Sequence, residues 1–359
     1  MAAHSIPAIA NPTSELKLEQ IAIFPGLRAL AWHGDVLFAS RGYRLLRARI
    51  GQQASIRWEH AAEYRPPLWR QFSSRPRLAC RFFRDGFHAL AILSSGDLIG
   101  AVPGAIVRLP VGDDEFHICR RVLRGTRPLH FAVAPGDRIF WGEYFDNRKR
   151  DEVHIYASSD RGAHWDAVYT FPAGSIRHVH NIVYDRWDNC LWILTGDEGA
   201  ECRILRASCD FRNVGVIFSG SQQTRAAALV PMGDAIYFST DTPVERNYIR
   251  RHDRKGSLDR VAELASSSIY GCKVGNSIFF STMVEPSAAN LSRDVWLFGS
   301  GDGLRWQNLL HWKKDRWPMR LFQYGNAFLP DGENATGLLA VATVGVEGAD
   351  SETGVWRVL

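Results

Sequence analysis

One pattern recurs seven times along the 359 residues: an apolar strand, a short turn carrying Gly, Asp or Asn, and a second strand ending in small polar residues. The copies are GLRALAWHGDVLFAS from Gly26, GFHALAILSSGDLIGAV from Gly86, PLHFAVAPGDRIFWGEY from Pro128 and RHVHNIVYDRWDNCLWILTGD from Arg177. TRAAALVPMGDAIYFSTD follows from Thr224, SIYGCKVGNSIFFSTMV from Ser268 and PMRLFQYGNAFLPDGENATGLLAVATV from Pro318. Successive starts lie 60, 42, 49, 47, 44 and 50 residues apart. Paired strands repeating at this period bury their faces by packing sheet against sheet around an axis. Helical periodicity is nearly absent. The expected fold is all-β, a seven-bladed β-propeller, with six blades as the alternative count.

The chain ends say how the ring closes. The final repeat supplies three strands, roughly 319–325, 337–344 and 353–359, and is one short. The segment LEQIAIFPG from Leu18 precedes the first repeat and has no sheet of its own. It is expected to add the outer strand to the last blade, which removes an exposed sheet edge. Residues 18–359 therefore read as a single propeller domain after a flexible segment 1–17. The irregular stretch 51–76 is expected to form a lid or loop over one face.

A second, shorter pattern falls inside the repeat. SSDRGAHW from Ser158 returns as SGDGLRW from Ser300 and, in degenerate form, as SCDFRNV from Ser208. The three serines lie 30, 32 and 31 residues after their repeat starts, where the third strand turns into the fourth. The carboxylate of Asp160 can accept from turn amides, Gly162 can take a positive φ, and Trp165 can pack between sheets. These residues resemble the Asp-box of BNR-repeat, sialidase-like propellers. The run from Arg124 to Gly325, with RGTRPL, GEYFDNRKRDEVHIY, RHVHNIVYD, TGDEGAECRI, STDTP, STMVEP and WPMRLFQYG, also resembles bacterial propellers associated with polysaccharide biosynthesis. That resemblance implies a carbohydrate setting. It does not imply sialidase activity, because SRPRL stands where sialidases carry an Arg-Ile-Pro type motif, and those enzymes are usually six-bladed.

Bulk composition narrows the partners. Hydrophobic residues make up 46% and charged residues 23%, values ordinary for a globular chain. No run of about 18 apolar residues is present, so no membrane span is expected. The first 20 residues lack a basic segment followed by a long apolar one, so no signal peptide is expected. Six scattered cysteines without a CxxC pair read as free thiols of a reducing compartment, and hence a cytoplasmic location. Net charge is +5, and only 6 of the 43 basic residues are lysines. Arg-codon bias is one explanation. Recognition of carboxylate or phosphate by the planar guanidinium fork is the other. The basic residues form no dense stripe and match no nucleic-acid-binding motif, so no nucleic acid partner is expected.

In a propeller, the loops leading into the innermost strands and the turns between second and third strands share one rim. Polar residues of this chain concentrate in those two loop classes. Leading into inner strands are Arg28, His88, Arg124, Arg127, His178, His180, Gln222, Arg225, Tyr270, Arg320, Gln323 and Tyr324. At the second-to-third turns are Arg41, Glu143, Asp197, Glu201, Asp241, Glu245, Arg246 and Glu285. Glu143, Asp197, Asp241 and Glu285 are candidate acid, base or nucleophile. His178 and His180 are candidates for proton transfer or orientation. Arg127 and Arg225, with Arg124, Gln222, Tyr270, Arg320, Gln323 and Tyr324, are candidates for binding an acidic saccharide. Glu143 and Glu285 rank first among the acids, since Glu rarely caps turns. Asp197 and Asp241 have turn capping as an equal alternative. His178 and His180 lie two apart on a strand and so point the same way. They form either a hydrogen-bonded pair, the favoured reading, or the start of a divalent-metal site with Glu143 or Asp197. No cofactor is otherwise expected. Trp141, Trp192 and Trp296 read as packing between blades.

Two functions fit this pattern. The first is a carbohydrate-active enzyme acting on an acidic saccharide or polysaccharide precursor by glycoside cleavage, lysis or sugar transfer. The second is a non-catalytic carbohydrate-binding or scaffold propeller in polysaccharide assembly. Oligomeric state is open.

Overall fold

In the computed structural model, residues 15–51 and 56–359 are described. The expected flexible segment 1–17 falls largely outside them, up to residue 14. Within it, Leu16 packs into the core and the Lys17 backbone pairs with that of Leu359.

Seven antiparallel sheets form the seven blades, as the repeat requires. Their innermost strands are Arg28–Gly34, Ala89–Ile92, Ala132–Ala134, Val179–Asp185, Ala226–Pro231, Ser268–Val274 and Asn326–Phe328. Seven apolar clusters fill the seven seams between neighbouring blades, which settles the count at seven rather than six. Alternation along the strands explains them: one face of each sheet meets the preceding blade and the other the following one. Trp141 and Trp192 are buried in two of these seams. Trp296 is half-buried, with its ring 4.9 Å from that of His311.

Closure follows the expected route. Leu18–Pro25 pairs antiparallel with Glu352–Val358 and becomes the outer strand of blade 7. A second closure lies at the axis, where Asp331–Asn334 leaves blade 7 and pairs in parallel with Ala31–Gly34 of blade 1. Gly332 permits it: its φ is +89°, and a Cβ there would sit 2.2 Å from the Trp32 carbonyl oxygen.

Two local expectations are corrected. The stretch 51–76 is not irregular throughout, and only its second half lies over a face, as a helical lid rather than a loop. Glu59–Glu63 is the outer strand of blade 1, and Leu68–Ser73 is a helix, α1. The run 319–325 is not a strand: Met319–Phe322 forms the short helix α3 and the inner strand starts at Asn326. Pro67 and Pro318 precede these helices, where a missing N–H costs nothing. Together with α2 (Arg77–Phe83), which packs against both, they form a cap tied to blade 1 through Tyr43 and to blade 7 through Asp350. Buried ion pairs pin this cap. Asp85, fully buried, accepts from Arg70, from Ser73 at 2.6 Å and from Tyr43 at 2.8 Å. Arg81 bonds Asp315 at 2.6 Å, Asp350 at 3.2 Å and the Phe322 carbonyl at 2.6 Å.

The short repeated motif behaves as its chemistry suggests, on the opposite rim. Ser158 donates to Asp160 and accepts from Gly162 N at 2.8 Å, while Trp165 donates to the Gly162 carbonyl. Ser300, Asp302, Gly303 and Trp306 repeat the same bonds. Ser208 and Asp210 keep the serine–aspartate bond without the tryptophan. These contacts are structural and sit away from the candidate site.

Candidate ligand-binding mouth

The sequence-selected residues occupy the expected rim, but they sort into three groups rather than one.

The acidic group lies on blades 4 to 6. Asp197 is held by four neighbours: Arg177 at 3.1 Å, Arg225 at 3.1 Å, His180 at 3.3 Å and His178 at 3.6 Å. Burial pushes its carboxyl up, but the histidine bonds outweigh this and hold it well below the usual carboxylate range. Arg225 also reaches Asp241, at 3.5 Å. Burial, with the negative charges of Glu285 and Asp197, raises Asp241 to about 7 against the opposing pull of Arg225. Glu285 accepts from Ser267 at 3.0 Å. Tyr144 packs its ring 4.3 Å from that of His178 and is pushed up to about 12 by burial and by Asp241 and Asp197. Gln222 donates to the Asp197 carbonyl at 2.8 Å.

The histidines converge through a backbone device. His178 precedes the inner strand, and His180 is the extra residue of a β-bulge between Val179 and Asn181. The same irregularity recurs where the inner strands of blades 1, 5 and 6 begin. In blade 4 it turns His180 so that its Nε2 stands 3.0 Å from that of His178. Burial lowers the His180 pKa, against its bond to Asp197.

The basic group lies on blades 1 to 3, beside Tyr270 of blade 6. Arg28 lies over the Phe328 ring, 3.9 Å from its centroid, and its Nη1 is 3.2 Å from His88 Nδ1. Arg127 is lowered to about 9 by burial and by the charges of Arg28 and Arg84. His88 is lowered well below its ordinary value by burial and by Arg127 and Arg28. Among the described residues, Arg28, Arg84 and Arg127 have no carboxylate within ion-pair distance, although many other arginines do. The Nε atoms of Arg28 and Arg127 are buried without a partner. Inward of this group, the axial channel has a volume of about 520 Å³.

The third group is structural. Glu143 is 5% exposed and is clasped by Arg124, with His154 N donating at 2.9 Å. Gln323 donates to the Arg81 carbonyl within the helical cap, while Arg320 and Tyr324 are exposed on it. The candidate acids thus do not form one set: Glu143 stands apart, and the other three crowd around Arg225.

Sequence reasoning missed Arg177, Tyr144 and Arg84. Arg177 and Tyr144 adjoin residues that it chose, in RHVH and GEYF. It also missed the exposed apolar side chains of the cap, Leu68, Trp69, Phe72, Phe82, Phe83 and Leu321. The only signal for these was aromatic content within a basic stretch.

No protein-family model matches the chain, and no curated protein matches it. Solved structures do. The WD40 β-propeller domain of Doa1 superposes with a TM-score of 0.58 at 11% identity, covering 96% of this chain and 97% of that one. A chain of the Mitotic Checkpoint Complex gives 0.59 at 10% identity, covering 99% of both. The computationally designed Ika8 protein gives 0.51 at 9% identity, over 95% of this chain and 98% of that one. The chain has the seven-bladed β-propeller fold. The likeness goes no further than fold, and nothing in it supports membership of the Asp-box or sialidase family or a link to polysaccharides.

The reading as a carbohydrate-active enzyme is overturned. Two of the solved structures named above are a WD40 propeller domain and a checkpoint-complex chain, and neither is described by a carbohydrate activity. The geometry agrees, since Glu143 is bound in a buried ion pair and Asp197 is paired with Arg177 and Arg225. No described helix is long and apolar enough to cross a membrane.

Proposed function

We propose that the protein is a non-catalytic scaffold propeller whose mouth and helical cap receive an acidic polypeptide segment carrying apolar side chains. One observation carries this reading: Arg28, Arg84 and Arg127 crowd together without a carboxylate, beside helices that expose Leu68, Trp69, Phe72, Phe82 and Phe83. Packing guanidiniums together, with those of Arg28 and Arg127 withdrawn from water, is costly, and an incoming anion offsets that cost. Exposed aromatic side chains beside a charged pocket suit a protein interface, where Trp, Tyr and Arg act as anchors. Similarity to a chain of a named multi-component complex is in keeping with a scaffold role. The six free thiols favour a reducing compartment for it.

An acidic saccharide offers the same anionic groups without the apolar ones, so it serves as the comparison ligand. The test is fluorescence anisotropy with acidic–aromatic peptides, acidic peptides lacking aromatics, and acidic oligosaccharides. Preference for the first set supports the proposal. Arg127→Ala and Phe72→Ser should each weaken that binding about tenfold or more. Tighter binding of the saccharides, or binding indifferent to both substitutions, would overturn it.

A further inference from the structure

A different part of the mouth carries a second reading, independent of the polypeptide partner. We propose that His178, His180 and Asp197 form a site for a first-row divalent metal, of the zinc or iron type, bound through both Nε2 atoms and the carboxylate.

The argument begins with tautomers. His178 Nδ1 lies 3.0 Å from the Phe145 carbonyl oxygen, and His180 Nδ1 lies 2.9 Å from the Ala226 carbonyl oxygen. A carbonyl oxygen only accepts, so each Nδ1 carries the ring proton. In neutral imidazoles this leaves both Nε2 atoms as bare lone pairs. Those lone pairs face each other at 3.0 Å. With both rings neutral, neither has a hydrogen to give the other or Asp197, so the cluster calls for a cation or, in metal-free protein, for the added proton that the histidine bonds to Asp197 require.

The carboxylate of Asp197 lies against the pair and turns one oxygen towards each histidine. Asp197 Oδ1 is 3.3 Å from His180 Nε2, and Oδ2 is 3.6 Å from His178 Nε2. A metal bound at about 2.0–2.2 Å, with ligand–metal–ligand angles between octahedral and trigonal, sets its ligand atoms roughly 2.8–3.8 Å apart. The Nε2–Nε2 separation of 3.0 Å and the two Nε2–oxygen separations, 3.3 and 3.6 Å to different oxygens, each fall in that range, so the carboxylate would engage the ion through both oxygens. Two histidines with one carboxylate are also a donor set that suits zinc and iron and leaves coordination positions open.

The surroundings match those of metal ligands. Each histidine is oriented by a backbone carbonyl at its far nitrogen, a typical outer-shell arrangement. Arg177 and Arg225 bond Asp197 and bring positive charge close to the proposed ion. Arg225 is shared with Asp241, Arg177 is shared with Asp146, and Glu285 lies near Arg225. Asp241 and Glu285 add carboxyl groups beside Arg225, so the surroundings of the site are not wholly cationic. The β-bulge that aims His180 stands where three other blades have the same irregularity, so the histidine adds metal chemistry to a backbone shape the fold already makes.

The test uses the full chain, stripped with a chelator and titrated with Zn²⁺ in a calorimeter. One equivalent should bind. His180→Asn should weaken binding by about 100-fold or more, and Asp197→Asn by at least tenfold. ¹⁵N spectra of the histidine rings, recorded on unsubstituted protein, keep the proposal falsifiable if a variant fails to fold. Both Nε2 signals should shift to metal-bound positions with Zn²⁺, while both Nδ1 remain protonated. No Zn²⁺ uptake, together with a proton found on one Nε2, would overturn the site in favour of a proton-sharing pair. Uptake unchanged in folded His180→Asn would equally overturn it.

Discussion

Arg124 clasps Glu143 through both carboxylate oxygens, joining the loop that leads into blade 3 to that blade's own second-to-third turn. Glu143 also accepts from His154 N, so each of its oxygens has a partner. A side chain ranked first as a catalytic acid is thereby a strut of the rim. Glu143→Gln keeps the shape but replaces one acceptor by a donor facing Arg124. The expected cost is on the order of 2 kcal/mol. Urea unfolding should show a lower midpoint with an unchanged slope. An unchanged midpoint would mean that the pair adds nothing to stability.

Ring closure depends on a buried hydroxyl. Thr353 Oγ1 accepts from Ala29 N at 3.0 Å and donates to the Leu27 carbonyl at 2.8 Å, bridging blade 7 and blade 1. Thr353→Val preserves volume and strands both backbone groups. A loss of about 1–3 kcal/mol is expected, the cost of leaving buried polar groups unpaired. Amide exchange at Ala29 should accelerate more than exchange in the inner strand of blade 4. Uniform acceleration across the ring would show that the hydroxyl is not a local closure device.

These two contacts show which parts of the molecule the sequence discloses. Blade number, the closing N-terminal strand and the position of the Ser158 and Ser300 turns follow from periodicity and turn chemistry, which are local. The rim to which each polar residue belongs also follows, because inner-strand approaches alternate with turns at a regular spacing. Pairing across the rim does not. Nothing in the order of residues says that Glu143 is taken by Arg124, or that Arg177, just before His178, reaches back to Asp197. The cap was hidden for a related reason. α1 and α2 are each a turn or two long, too short for helical periodicity to stand out, and tertiary ion pairs of Arg81 and Asp85 hold them in place. Arg28, Arg84 and Arg127 are scattered in sequence, and their missing counter-ions become visible only once the blades bring them together.

Asp241 provides a prediction whose sign can be worked out. Burial and the neighbouring acids raise its pKa to about 7 in the folded protein, against an ordinary value of 3.8. Between those two pH values the folded state holds a proton that the unfolded state has released. Stability from this group is therefore full below about pH 4, declines as pH rises towards 7 and levels off above it. Other acids of the region, Asp197 among them, act in the opposite sense, so the raw pH profile mixes both. Asp241→Asn isolates the contribution, because the amide keeps the shape and never ionises. In metal-free protein, the variant should match the parent near pH 4.5 and exceed it by on the order of a few kcal/mol at pH 8. Urea unfolding of both proteins across this range gives the difference directly. A difference that does not change with pH would mean that Asp241 titrates at its ordinary value, with Arg225 neutralising it fully.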